Sequence, residues 1–111
     1  MKGSEDAAVP GRTERRFERV HGPFDGCRVG KLEVPVRIYD LSLGGCFVNS
    51  TTVHRIGTKL VLKIDLPGHG QITVNAEVRN LRPEVGYGVR FLDVEPDAGS
   101  RLLRTIDALR K

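Results

Sequence analysis

Residues 40–45 read "DLSLGG" and lie between the apolar runs "VPVRIY" and "CFV". Asp40 offers two carboxylate oxygens that accept hydrogen bonds. A guanine Watson–Crick edge presents neighbouring N–H donors that match them. Ser42, two residues on, can donate or accept at the same edge. Gly44 and Gly45 leave backbone N–H groups open and put no Cβ in a ligand's way. Upstream, Arg15 and Arg19 each carry a planar fork of donors, suited to phosphate oxygens or to O6 and N7 of guanine. An acid for the guanine edge plus arginines for phosphate describes a guanine nucleotide site. Each piece alone also has a plainer reading. "DLSLGG" suits an ordinary Asx-type turn. Two R-x-x-x-R pairs occur, Arg12/Arg16 and Arg15/Arg19, and either reads as a solvated basic segment. The order carries the argument: arginine pair, hairpin, D-x-S-x-x-G, then further strands.

Other chemistry finds little support. Ser42 lies in "LSLGG" and lacks the G-x-S-x-G setting of a nucleophile elbow. His21, His54 and His69 are scattered, with no metal-ligand spacing. "GYG" at 86–88 lacks the third glycine and following helix of a dinucleotide fingerprint. The chain is therefore read as a non-enzyme with no metal and no resident cofactor.

These residues need a scaffold. The chain has 111 residues, 39% of them hydrophobic, enough for one domain with a modest core. With two Tyr, four Phe and no Trp, that core must rest on Val, Leu and Ile. Residues 1–11 are expected to form a flexible polar tail, followed by an arginine-rich segment at 12–19. "FDGCRV" and "VPVRIY" read as strands joined by the turn "GKLE", and "GCFVNS" as a third. In "KLVLKIDL", Leu60, Leu62, Ile64 and Leu66 share one face. In "QITVNAEVRN", Ile72, Val74, Ala76 and Val78 face in, and Arg79 faces out. "VGYGVRFLDV" is the sixth, with Tyr87, Val89 and Phe91 on one side. Six short strands separated by turns predict a mainly β fold, a closed barrel over about 23–94. The period then changes. Leu102, Ile106 and Leu109, with Leu103 beside them, predict an amphipathic helix over about 97–110, packed across one barrel mouth.

The net charge of +4 permits a nucleic-acid partner, but it is dispersed and exposed aromatics for base stacking are scarce. No apolar run approaches the roughly 20 residues of a membrane span. No secretory h-region opens the chain. A cytoplasmic protein with free Cys27 and Cys46, no membrane insertion and no nucleic-acid partner is expected.

In this order the residues resemble a PilZ domain, the bacterial receptor module for cyclic di-GMP. The family pattern places R-x-x-x-R before the first strand and [D/N]-x-S-x-x-G at the end of the second. Here these are "RRFER" at 15–19 and "DLSLGG" at 40–45, and "GYGVRF" at 86–91 resembles a third family motif. The resemblance covers about residues 12–110. It implies a six-stranded antiparallel β-barrel with a C-terminal α-helix and a flexible N-terminal arm. It also implies that Arg15 and Arg19 bind phosphate and the guanine Hoogsteen edge, with Arg16 as a possible helper. Asp40 and Ser42 would hold a guanine, and Gly45, with Gly44, would keep the loop open. With no Trp available to stack on a base, outward-facing Arg79 could offer its guanidinium plane instead. The implied mechanism is ligand-driven ordering of the arginine segment, which passes the signal in trans to an effector protein. The alternatives are a ligand-independent interaction module of the same fold and, less favoured, a small nucleic-acid-binding barrel.

Overall fold

The computed structural model describes residues 18–52 and 54–110. Six strands run β1 (Phe24–Val29), β2 (Val34–Tyr39), β3 (Gly45–Asn49), β4 (Lys59–Leu66), β5 (Gly70–Arg82) and β6 (Gly86–Leu92). They close antiparallel into a barrel of order β1-β2-β3-β6-β5-β4. Each described strand has a neighbour on both sides, so closure removes the two edge strands of an open sheet. The expected six-stranded barrel and C-terminal helix are thus observed. The inward sets are those the alternation indicates. Leu62, Ile64, Val74, Ala76, Val78, Tyr87 and Val89 are all buried, as are Ile38 and Val48. Aliphatic side chains dominate this core, and each contributes about 1.5–3 kcal/mol on burial.

Helix α1 (Pro96–Leu109) opens on Pro96, which needs no amide partner in the first turn. Asp97 lies near the positive helix end and pairs with Arg101 one turn on, at 3.1 Å. Its buried residues are Ala98, Leu102, Thr105 and Ile106, and the helix packs against β4 and β5. The expected stripe is corrected here: Leu103 and Leu109 are 45% and 46% exposed. Thr105 takes the core side instead, because its hydroxyl satisfies itself by donating to the Arg101 carbonyl at 2.9 Å.

Strands β3 and β4 lie on opposite sides of the ring, so the connection 50–58 crosses one mouth of the barrel. His54 hangs from it and meets buried Tyr87 edge to face, ring centroids 4.9 Å apart. Burial, and secondly the nearby Arg28 guanidinium, holds the His54 pKa below its ordinary value of 6.5. Its Nε2 is buried with no hydrogen-bond partner among the described residues, so a second ring proton finds no acceptor. Below about pH 6.5 the unfolded chain takes up a proton that the folded chain resists. Stability is therefore expected to fall as pH drops through about 6.5. In His54→Gln the melting temperature should vary less between about pH 7 and about pH 5. Equal slopes for the two proteins would remove His54 from that account.

Candidate ligand groove on the barrel wall

Four local features build the site. The first is the chain entry. Val20 is 6% exposed and forms a two-way backbone bridge with Leu41, at 2.9 and 2.8 Å. The Asp40 amide donates to the His21 carbonyl at 3.1 Å. These bonds tie the segment after Arg19 to the turn that carries Asp40. Arg15 and Arg16 lie outside the described residues.

The second feature is the β2–β3 turn. Asp40 sits at φ 51°, in the left-handed region where Asp is better tolerated than most residues. Its side chain is half exposed, with His21 Nδ1 3.5 Å from Oδ1. Ser42 is buried, and its hydroxyl accepts from the amides of Gly44 and Gly45, each at 3.1 Å. The same hydroxyl donates to the Gly45 carbonyl at 3.2 Å, and the Ser42 amide meets that carbonyl at 2.9 Å. In this structure the hydroxyl holds the turn closed from within. Gly45 is demanded by packing, since a Cβ there would stand 2.1 Å from the Val89 carbonyl oxygen of β6.

The third feature is a register shift in β5 between Val78 and Asn80, opposite Val89 and Gly88 of β6. Strict alternation from Val78 would point Asn80 and Arg82 into the barrel. The extra residue reverses the parity and turns them onto the outer wall. The fourth feature is the face they meet. Phe47 of β3 is cross-strand partner to Tyr39 and Gly88. The Asn80 amide lies across Gly88, where a Cβ would be 2.7 Å from its oxygen. The Arg82 guanidinium carbon stands 5.1 Å from the Phe47 ring centroid.

Together these line an open groove of about 450 Å³. Its wall includes Arg19, Asp40, Ser42, Gly44, Gly45 and Arg79, the candidate residues that fall in the described region. Phe47, Asn80, Arg82, Gly88 and Arg90 share the same wall; the sequence analysis named none of them as a ligand residue, although Gly88 and Arg90 fall in "GYGVRF". Outward parity beside a glycine strand was a usable signal for Phe47. Alternation held none for Asn80 and Arg82. Of the guanidiniums, Arg90 is engaged by Glu77 at 3.0 Å. Arg19, Arg79 and Arg82 leave the groove basic, with Asp40 its one lining carboxylate among the described residues. Such a surface attracts a ligand with anionic groups and one face rich in N–H donors.

The PilZ domain family model matches residues 13–108, nearly the whole chain. The chain belongs to the PilZ domain family. Solved structures agree on the fold. The PilZ domain of YcgR from Escherichia coli, with c-di-GMP, superposes at TM-score 0.70 and 22% identity, covering 86% of this chain and 91% of that one. YcgR in complex with c-di-GMP gives 0.72 at 24% identity, covering 86% and 46%. The Bacillus subtilis inhibitor of motility MotI/DgrA gives 0.74 at 23% identity, covering 86% and 51%. The chain thus spans about half the length of the latter two. No curated protein matches the sequence. Both YcgR structures contain c-di-GMP. Among the described residues, no helix is long and apolar enough to cross a membrane.

Proposed function

We propose that this PilZ chain is a receptor for cyclic di-GMP and relays its presence to a partner protein. The observation that carries the reading is the groove, where Arg19, Asp40, Ser42, Gly45 and Arg79 meet on one wall although they lie far apart in the sequence. Asp40 accepts from a guanine Watson–Crick edge. Arg19 and Arg15 take phosphate and the Hoogsteen edge, with Arg16 in support. Ser42 and the amides of Gly44 and Gly45 already form a closed hydrogen-bonded set. They hold Asp40 at a fixed angle before ligand arrives, which lowers the ordering cost of binding.

The relay follows from the anchor at Val20. Ligand phosphates draw the arginine segment across the barrel wall, pivoting where Val20 bridges Leu41. That movement makes a surface that the empty protein does not present, and an effector recognises it.

Isothermal titration calorimetry with cyclic di-GMP tests the reading, with GTP and cyclic di-AMP as controls. Selective binding in the micromolar range or tighter is expected, about −8 kcal/mol or better. Arg19→Ala should weaken it about tenfold or more through the loss of a charge-assisted contact. Absence of heat, together with an unmoved melting temperature, would assign the chain to ligand-independent interaction instead.

A further inference from the structure

One mouth of the barrel carries groups that the receptor reading leaves unused. It is the mouth where β1, β3 and β5 end and β2, β4 and β6 begin, opposite the end from which β6 leads into α1. Phe24 and Gly26 are buried on β1, so alternation turns Arg28 inward as well, at the end of that strand. The Arg28 Nε is buried with no hydrogen-bond partner among the described residues, and the same holds for the His54 Nε2 and the Tyr87 hydroxyl. Tyr87 is 1% exposed and meets His54 edge to face. All three share one neighbourhood, because the Arg28 charge acts on both rings. It adds to burial in lowering the His54 pKa. Burial raises the Tyr87 pKa against a smaller opposing effect of Arg28, so the phenol keeps its proton and stays a donor. Among the described residues no carboxylate pairs with Arg28, and Glu33 in the adjoining β1–β2 turn is engaged by Lys63 at 2.6 Å.

Buried polar atoms without partners are costly, and a part-buried cation without a counter-charge more so. Here three of them converge where one planar pair of oxygens could satisfy them. A guanidinium fork matches a carboxylate in shape and charge. The Tyr87 hydroxyl donates to the same group, as does His54 in the tautomer with its proton on Nε2. The rim around this centre is apolar. Leu32 of the β1–β2 turn and Ile56 of the 50–58 connection are 79% and 63% exposed. Leu81 and Val85, at the β5–β6 end of the mouth, are exposed too.

We infer that this mouth binds a small organic acid, its carboxylate held by Arg28, Tyr87 and His54 and its apolar stem laid against the rim. An inorganic anion would leave the rim uncovered, and one guanidinium matches one negative charge. The guanidinium reaches the rim, where its Nη1 lies 3.4 Å from the place of a Cβ on Gly30, so the acid meets it there first. The His54 ring must turn for the oxygens to pass, and its buried nitrogen has no hydrogen bond among the described residues to lose. The site is separate from the ligand groove and does not depend on the receptor reading. Tyr87 and Leu81 are cross-strand partners at the mouth, whereas their neighbours Gly88 and Arg82 line the outer wall.

NMR titration of backbone amides with butanoate, hexanoate and octanoate tests the site, with hexanamide and chloride as controls. Saturable shifts are expected at Val29, Leu32 and Ile56, with affinity rising about threefold per added methylene. Arg28→Met should weaken hexanoate binding about tenfold or more. Tyr87→Phe should weaken it about threefold or more, yet melt no lower than the unmodified chain without acid, because the hydroxyl it loses has no partner there. A purely structural tyrosine hydroxyl would instead show a lowered melting temperature and unchanged binding, which would overturn its role. Shifts confined to Gly44 and Gly45 would place the acid in the basic groove and overturn the mouth site. Equal binding of hexanamide, or of hexanoate to Arg28→Met, would show that no carboxylate is recognised there and overturn it as well. No saturable shift in the millimolar range with any of the acids would do the same.

Discussion

Asp40→Gly is expected to weaken cyclic di-GMP binding ten- to hundredfold while leaving the barrel's melting temperature almost unchanged. The usual alanine replacement would confuse two effects. Asp40 holds φ 51°, a conformation glycine adopts freely and alanine resists at about 1 kcal/mol. Glycine therefore removes the carboxylate and keeps the turn. The backbone bond from the Asp40 amide to the His21 carbonyl survives in either variant. The lost His21 contact matters little, since the imidazole is 95% exposed and the separation is 3.5 Å. Against the lost hydrogen bonds to guanine stands one opposing term. Removing an anion from a basic groove favours phosphate, by about 0.5 kcal/mol for charges roughly 8 Å apart in water. Charge-assisted hydrogen bonds to the base are worth about 1.5–3 kcal/mol, so their loss prevails. Asp40→Ala should show the same affinity loss plus a lower melting temperature. Unchanged affinity in Asp40→Gly would remove Asp40 from the site.

Where local pattern decides structure, the sequence was legible. The inward faces of β4 and β5 follow two-residue alternation through Val78 and match the buried set. That Arg19 and the "DLSLGG" turn share one groove was likewise readable from the order of the motifs. Two things were not. A bulge is one unpaired residue, and nothing in "VRNLR" announces it, because Arg79, Asn80 and Arg82 are polar on either face. Yet that bulge moves Asn80 and Arg82 from core parity to the groove. The second is long-range pairing. That β3 lies beside β6 follows from closure of the whole sheet, and only that pairing sets Phe47 next to Gly88. The helix misjudgement has the same origin. Leu109 fits the apolar period, but which part of a stripe is covered depends on the surface it meets, here β4 and β5. Ser42 illustrates a subtler limit. Its type suggests a group that faces ligand, whereas its position within the turn at 40–44 gives the hydroxyl three hydrogen bonds inside the turn.

Gly45→Ala should be the most damaging substitution in the motif, and through stability more than through ligand contact. A Cβ at Gly45 would stand 2.1 Å from the Val89 carbonyl oxygen, well inside contact distance. The obstacle is backbone, so no rotamer change relieves it. β3 must move off β6 along the pairs Gly45–Arg90 and Cys46–Val89, in the middle of a closed ring. Overpacking of this kind costs about 3 kcal/mol. For a domain of this size that lowers the melting temperature on the order of 10–20 °C. The Ser42 hydroxyl bonds both the amide and the carbonyl of Gly45, so the displacement also loosens the turn that aims Asp40. Affinity should therefore fall even at temperatures where the variant remains folded. Gly57→Ala is the contrasting case. Gly57 has φ 93°, and among the described residues nothing lies within 4 Å of where an alanine methyl group would stand. Only backbone strain opposes alanine there, about 1 kcal/mol. Thermal melts of the two variants, followed by titration at low temperature, separate crowding from conformational strain. A Gly45→Ala protein that melted within a few degrees of the unmodified chain would mean the β3–β6 seam yields without cost. The motif glycine would then have to be explained by the ligand alone.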